Sequence, residues 1–191
     1  MTKFKLGVIV GSNRRDSINR KLAHALIKLG SNEFDANIIR IDDLPLYNQD
    51  LEAALPEEVS RLKSHIADAD AVLFVTPEHS RSIPAVLKNA IDWGARPWGK
   101  NSWTGKLAAV TGTSAGAIGA AIAQQHLRAV LGDLGMVLMG GEAYITYKPE
   151  MVDAKDDVAD ESTRKFLKDF LGQLAALTAK FTVKTAPRVT A

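Results

Sequence analysis

The sequence predicts an α/β fold in which a parallel sheet of five strands lies between two layers of helices. Two observations carry this reading. Short runs rich in Val, Ile and Leu, without polar alternation, recur along the 191 residues, and such runs suit strands buried on both faces. Between them lie segments with apolar residues at helical spacing, so each strand returns to the sheet through a right-handed βαβ crossover.

The elements follow in chain order. Lys5–Val10 (KLGVIV) is the first strand, closed by Gly11, and Ile18–Leu29 is the first helix. Ser17 stands near its N-cap and Gly30-Ser31-Asn32 is its stop signal. Ala36–Ile41 (ANIIRI) is the second strand, and Asp42–Pro56, with its prolines and Tyr47, is a long loop. Pro56 suits the first turn of a helix, and Glu57 and Glu58 complement its dipole. Val59, Leu62, Lys63 and Ile66 carry that helix to about Asp68. Ala71–Thr76 (AVLFVT) is the third strand, Pro77–Ser82 a turn, and Ile83–Trp93 a short helix beginning at Pro84. Arg96–Thr104 is irregular. Lys106–Thr111 is the fourth strand, followed by the small-residue loop Gly112–Gly119 and a helix over Ala120–Leu134. Met136–Met139 is a short fifth strand, Asp153–Glu161 a solvated acidic loop, Glu161–Phe181 a final amphipathic helix, and Thr182–Ala191 a frayed tail. Five such strands give a flavodoxin-like three-layer fold with sheet order 2-1-3-4-5. The whole chain, 1–191, reads as one domain, its last residues from about 183 forming a flexible tail.

Composition excludes several classes of function. Basic residues number 24 and acidic ones 22, for a net charge of +2. That balance does not suit a dedicated nucleic-acid binder. The absence of cysteine removes disulfides, thiolate metal sites and a cysteine nucleophile. No pair among His24, His65, His79 and His126 has metal-ligand spacing with a third ligand. The apolar start is too short for a signal peptide and no run is long enough to span a membrane, so the expected location is cytoplasmic. Trp93, Trp98 and Trp103, clustered in and beside the irregular segment, read as core or as an oligomer contact, and the clustering favours the second.

In such sheets ligands bind beyond the carboxyl ends of the strands, at the switch point between strands one and three. This brings together the loops Gly11–Ser17, Pro77–Ser82 and Gly112–Gly119. The first holds Ser12, Asn13, Arg14, Arg15, Asp16 and Ser17, with Ile18 and Asn19 opening the helix. Hydroxyls, an amide, Arg and a helix N-terminus make an anion site. Neither GxxxxGK[ST] nor GxGxxG is present, and no glycine occurs between Gly11 and Gly30. The loop therefore suits a terminal monophosphate better than a pyrophosphate, although the same residues would also make an ordinary capped, solvated turn. The other two loops, small and polar, suit the edge of a planar heterocycle.

Gly112-Thr113-Ser114-Ala115-Gly116 fits GxSxG, the nucleophile elbow of serine hydrolases. The elbow requires an acid and then a histidine downstream. Only His126 follows Ser114, no acidic residue lies between them, and His126 falls inside a helix. A hydrolase using Ser114 is therefore the weaker alternative.

The stretches GSNRRDSINRKLA, TPEHSRSIPAVLKNAIDW and GTSAGAIGA, in this order between about Gly7 and Tyr144, resemble the NADPH-dependent FMN reductase family. The branch they are most similar to is that of the bacterial quinone and chromate reductases. The resemblance implies a flavodoxin-like fold, non-covalent FMN, NADPH or NADH as co-substrate, and a homodimer or homotetramer. It implies reduction of quinones and, less selectively, of chromate-like oxyanions, azo dyes and nitro compounds. By position, Ser12, Asn13, Arg14, Ser17, Ile18 and Asn19 would hold the FMN phosphate. Pro77, Glu78, His79, Ser80 and Ser82 would lie along the isoalloxazine, with Ser114, Ala115 and Gly116 meeting it from the third loop. The family usually has Tyr-Asn where this chain has His79-Ser80. No catalytic acid or base and no metal is implied, because the cofactor carries the chemistry. A non-catalytic flavodoxin-like electron carrier is the other alternative, but such carriers are usually strongly acidic and this chain is not.

Overall fold

Along β1 (Phe4–Val10), successive side chains enter two different cores. Leu6, Val8 and Val10 pack on one face of the sheet and Ile9 on the other. The same alternation holds in β3 (Ala71–Val75), where Leu73 and Val75 oppose Val72 and Phe74. With period-two geometry and buried residues at every position from Leu6 to Val10 and through β3, both faces must be covered. Helices α1 (Ile18–Leu29) and α5 (Glu161–Lys184) cover the first face. Helices α2 (Glu57–Asp68), α3 (Ala85–Ala95) and α4 (Ala121–Asp133) cover the second. The computed structural model describes residues 3–184.

All strand pairs are parallel, in the order β2-β1-β3-β4-β5, with β2 at Phe34–Ile38, β4 at Leu107–Ser114 and β5 at Val137–Leu138. This is the flavodoxin-like order expected from the sequence. Strand β2 starts earlier than expected, because Phe34 pairs with Phe4. The Ile39 N–H makes the last bond to β1, to the Val8 carbonyl, and beyond it the chain leaves the ladder, yet Ile39 and Ile41 are both buried in the core that contacts α2. Their apolar character marks that core rather than strand length.

Two departures shape the functional edge. Strand β4 runs three residues past Thr111, so Gly112-Thr113-Ser114 is strand and not loop. Gly112 permits this, because a Cβ there would lie 1.9 Å from the Thr76 carbonyl oxygen. A sixth short strand, β6 (Tyr144–Thr146), pairs with Gly112–Ser114, while β5 pairs only with Leu107 and Ala108. The edge beside β4 is therefore in two pieces, with Gly140 and Gly141 between them. Gly119 has φ 54° and would place a Cβ 2.5 Å from the Ile145 N, so the loop after β4 lies directly on β6.

The tryptophans divide. Trp93 and Trp103 are fully buried, with their indole N–H groups donating to the carbonyls of Pro45 and Ile91, so these two are core and not an oligomer contact. Trp98 alone is exposed, at 87%. The irregular segment around it is held by Lys63, whose ammonium donates to the carbonyls of Gly94, Arg96 and Lys100. Burial, reinforced by Lys100, pushes that ammonium below the ordinary lysine range. Helix α5 continues to Lys184, past its expected end at Phe181, and 185–191, where the rest of the expected tail falls, lie outside the described residues. Among the described residues no helix is long and apolar enough to cross a membrane.

Replacing Gly112 with Ala is expected to lower stability by at least about 3 kcal/mol, because the obstructing atom is backbone. Gly116→Ala, whose Cβ would meet only the Ser114 hydroxyl at 3.7 Å, should change it by less than about 1 kcal/mol. Urea unfolding of the two variants checks the contrast.

Candidate functional site

Strands β1, β3 and β4 end at one edge, and the loops that follow them enclose a cleft of about 300 Å³. The first wall is built on the start of α1. Ser17 is its N-cap, with φ −73° and ψ 122°, and its hydroxyl oxygen accepts from the Arg20 N–H. The hydroxyl proton is left to donate, and the N–H groups of Ile18 and Asn19 have no intrahelical acceptor because a helix start supplies none. Arg14 stands exposed beside them, its backbone N–H donating to the Ser12 hydroxyl at 3.4 Å.

The Asn19 side chain, 1% exposed, turns away from this wall into the protein. Its amide donates to the Thr113 carbonyl and accepts from the Thr113 N–H, both at 2.9 Å. The expected phosphate ligand at Asn19 is thus limited to its backbone N–H. The side chain instead ties the first loop to the end of β4.

The second wall follows β3. His79 and Ser82 exchange backbone hydrogen bonds of 2.9 and 2.8 Å across a two-residue turn. Both central residues, Ser80 and Arg81, adopt left-handed conformations, with φ 47° and 62°. This is the backbone of a type I′ turn made without glycine or asparagine. Glu78 has also been given a structural task. One carboxylate oxygen accepts from the N–H groups of Ile122 and Ala123 and the other from Arg81. It caps α4, whose own N-cap position, Ala120, offers no side-chain acceptor.

Of the expected site residues, Ser12, Asn13, Arg14, Ser17, Ile18 and Asn19 line the cleft from the first loop. Pro77, Glu78 and His79 line it from the second loop, and Ser114 and Ala115 from the third. Ser80, Ser82 and Gly116 do not. Ser80 sits at the exposed tip of its turn, Ser82 lies 3.2 Å from His126 Nδ1 on α4, and Gly116 accepts from the Ser114 hydroxyl at 3.3 Å. Gly11, Pro84, Val86 and Thr113 complete the lining without having been singled out. Pro84 and Val86 lie at the start of α3, where the sequence marks a helix and nothing marks a wall. The hydroxyl of Ser114 donates to Gly116 and the ring of His126 meets Ser82, so Ser114 has no histidine partner.

These walls fit an anionic, planar ligand. The helix N-terminus, Ser17 and Arg14 supply donors at one end, and Pro77, Pro84, Val86 and Ala115 supply apolar surface. Glu78 is the one acidic residue in the lining, and its carboxylate is engaged at α4.

Comparison with known proteins decides the family. The model for NADPH-dependent FMN reductases matches residues 4–150. The chain belongs to that family. The family's cofactor is FMN and its reductant NAD(P)H, and the donor set described above suits the FMN phosphate. The protein is 50% identical over 174 residues to a Burkholderia 2-hydroxy-1,4-benzoquinone reductase, covering 91% of this chain and 95% of that one. A Pseudomonas putida quinone reductase is 45% identical over 175 residues, covering 91% and 94%. Among solved structures, the flavoenzyme NAD(P)H:(acceptor) oxidoreductase FerB of Paracoccus denitrificans superposes with a TM-score of 0.91 at 48% identity, covering 93% of this chain and 98% of that one.

Two outcomes follow for this FMN reductase. Asn19→Ala removes both partners of a buried peptide group and should cost about 2–3 kcal/mol in thermal or urea unfolding. Ser80→Asn places a residue that tolerates the left-handed region where serine now stands. It should raise stability by about 0.5 kcal/mol, visible as a small upward shift in Tm.

Proposed function

We propose that this protein is a quinone reductase that takes hydride from NADPH or NADH and delivers two electrons to a quinone, with 2-hydroxy-1,4-benzoquinones among its acceptors. The observation that carries this is the cleft itself, with its donor-rich anionic end, its apolar walls and no paired nucleophile and base. FMN bound there would supply the redox chemistry, accepting hydride at N5 and passing electrons to the quinone. The chain's own residues bind and orient. Ser12, Arg14 and Ser17, with the N–H groups of Ile18 and Asn19, would hold the phosphate. Pro77, Pro84 and Val86 would flank the ring system. Backbone N–H groups of the stretch Glu78–Ser80 and near Ser114, other than that of His79, which donates to Ser82, would stabilise negative charge developing on the cofactor. Side activity on chromate, azo or nitro compounds belongs to the same reading, since no acid or base selects the acceptor. We read the protein as cytoplasmic and self-associating, as a homodimer or homotetramer. The exposed Trp98 and Leu46, and the apolar groove between α3 and α4 containing Ala129 and Val130, support self-association.

One flavin face serving both substrates in turn gives ping-pong kinetics. NADPH oxidation measured at several concentrations of a 1,4-benzoquinone should give parallel double-reciprocal lines, and intersecting lines would contradict the shared site. Arg14→Ala should weaken FMN binding by about 1.5–3 kcal/mol while leaving the fold intact. An unchanged flavin affinity would remove Arg14 from the phosphate site.

A further inference from the structure

On the β2 side of the first loop lies a second concavity, of about 280 Å³, that shares Ser12 with the flavin cleft. Its polar side chains are Ser12, Arg20, His24, Arg40 and Asp42, above Ile39 and Ile41. Arg20 and His24 are four residues apart on α1 and so share a face. Arg40 and Asp42 follow the end of β2, so the first βαβ unit itself brings the cluster together.

The charges of this cluster do not cancel. Asp42 accepts from Arg40 Nε at 2.8 Å. Asp43 takes one Arg61 nitrogen on both of its oxygens, at 2.7 and 2.8 Å, and a second Arg40 nitrogen at 3.3 Å. Two carboxylates are thus matched by two guanidiniums. Arg20 is a third guanidinium, with no carboxylate within 4 Å among the described residues. It has one long hydrogen bond, 3.4 Å, to the Ser12 carbonyl. Asp42 is held below the usual carboxylate range chiefly by its hydrogen bond to Arg40, and the charge of Arg20 adds to that effect. A guanidinium has five N–H donors, so Arg20 keeps most of its capacity beside a cavity that adjoins the phosphate loop.

We propose that this pocket is a second phosphate subsite, organised by Arg20 with Arg40 and Ser12, for a phosphoryl group of a nucleotide bound at the flavin cleft. Two nucleotides carry that chemistry to this place: NADPH through its ribose 2′-phosphate, and FAD, bound in place of FMN, through its second phosphate. Arginine forks favour a phosphoryl group over an uncharged ribose hydroxyl. The subsite therefore discriminates NADPH from NADH in the first case and FAD from FMN in the second. The inference rests on the reading that the first loop holds the flavin phosphate.

The test compares the holoprotein with its Arg20→Gln and Arg20→Lys variants. In the first case, KM for NADPH rises about tenfold in Arg20→Gln, KM for NADH stays within about twofold, kcat is unchanged, and Arg20→Lys recovers part of the loss. Calorimetric titration with adenosine 2′,5′-bisphosphate and with 5′-AMP gives a readout independent of turnover. The bisphosphate binds the wild type more tightly, and Arg20→Gln removes the difference. In the second case, NADPH and NADH are unaffected, but the ability of FAD to displace bound FMN falls about tenfold. Equal changes for both members of each pair, or no change in either, would overturn the subsite. A wild type that reduces no quinone would overturn the proposed function instead, while the calorimetric and displacement arms would still report on Arg20.

Discussion

The cleft depends on one buried amide. Thr76 still donates to the Thr111 carbonyl, but no residue past it continues the ladder, so the Thr113 N–H and C=O have no strand partner on that side, while β6 lies along the other side of β4. Asn19, 94 residues away in sequence, offers a carbonyl and an N–H in the geometry of one more peptide. A buried, unpaired backbone group costs about as much as a lost hydrogen bond, so the amide lets β4 extend past its neighbour without that penalty. It also fixes the start of α1 to the third loop. Two walls of the cleft are thus set by the same contact.

Several side chains expected to touch the cofactor turn out to hold the scaffold. Glu78 serves α4, and Ser82 meets His126 on the same helix. The turn from His79 to Ser82 is held by its own backbone hydrogen bonds. A backbone donor placed by rigid neighbours changes little in position when charge develops, which is what electrostatic stabilisation of a cofactor requires. For the same reason His79 and Ser80 can differ from the usual family residues while the turn between His79 and Ser82 keeps its hydrogen bonds.

The sheet was legible because the middle of its central strands is an unbroken apolar run, a pattern that suits short strands covered on both faces. Strand order followed from the βαβ alternation. Boundaries were less legible, since burial and pairing are separate properties: Ile39 and Ile41 are core residues outside β2, whereas Gly112-Thr113-Ser114 looks like a turn and is strand. Three residues of β6 carry too little periodicity to be seen. In the site, the hydroxyls and arginine of the first loop were visible through their chemistry. Asn19 and Glu78 were visible as residues, but their partners were not, because Thr113 and Ile122 are distant in sequence. Trp93 and Trp103 misled for the same reason, each finding a carbonyl acceptor that no local pattern announces.

The broken border beside β4 has a consequence for the protein among its own copies. A long, straight rim of unpaired N–H and C=O groups is a template on which another chain can add a strand. Here that rim is cut into a piece of two residues and a piece of three, offset by the Gly140–Gly141 interruption. The opposite rim, β2, is five residues long and carries Asp35 and Asn37 among its exposed positions. Neither border offers the flat, continuous apolar surface on which fibrils grow. The apolar middle strands are thus bordered by outermost ones that are short, interrupted or polar.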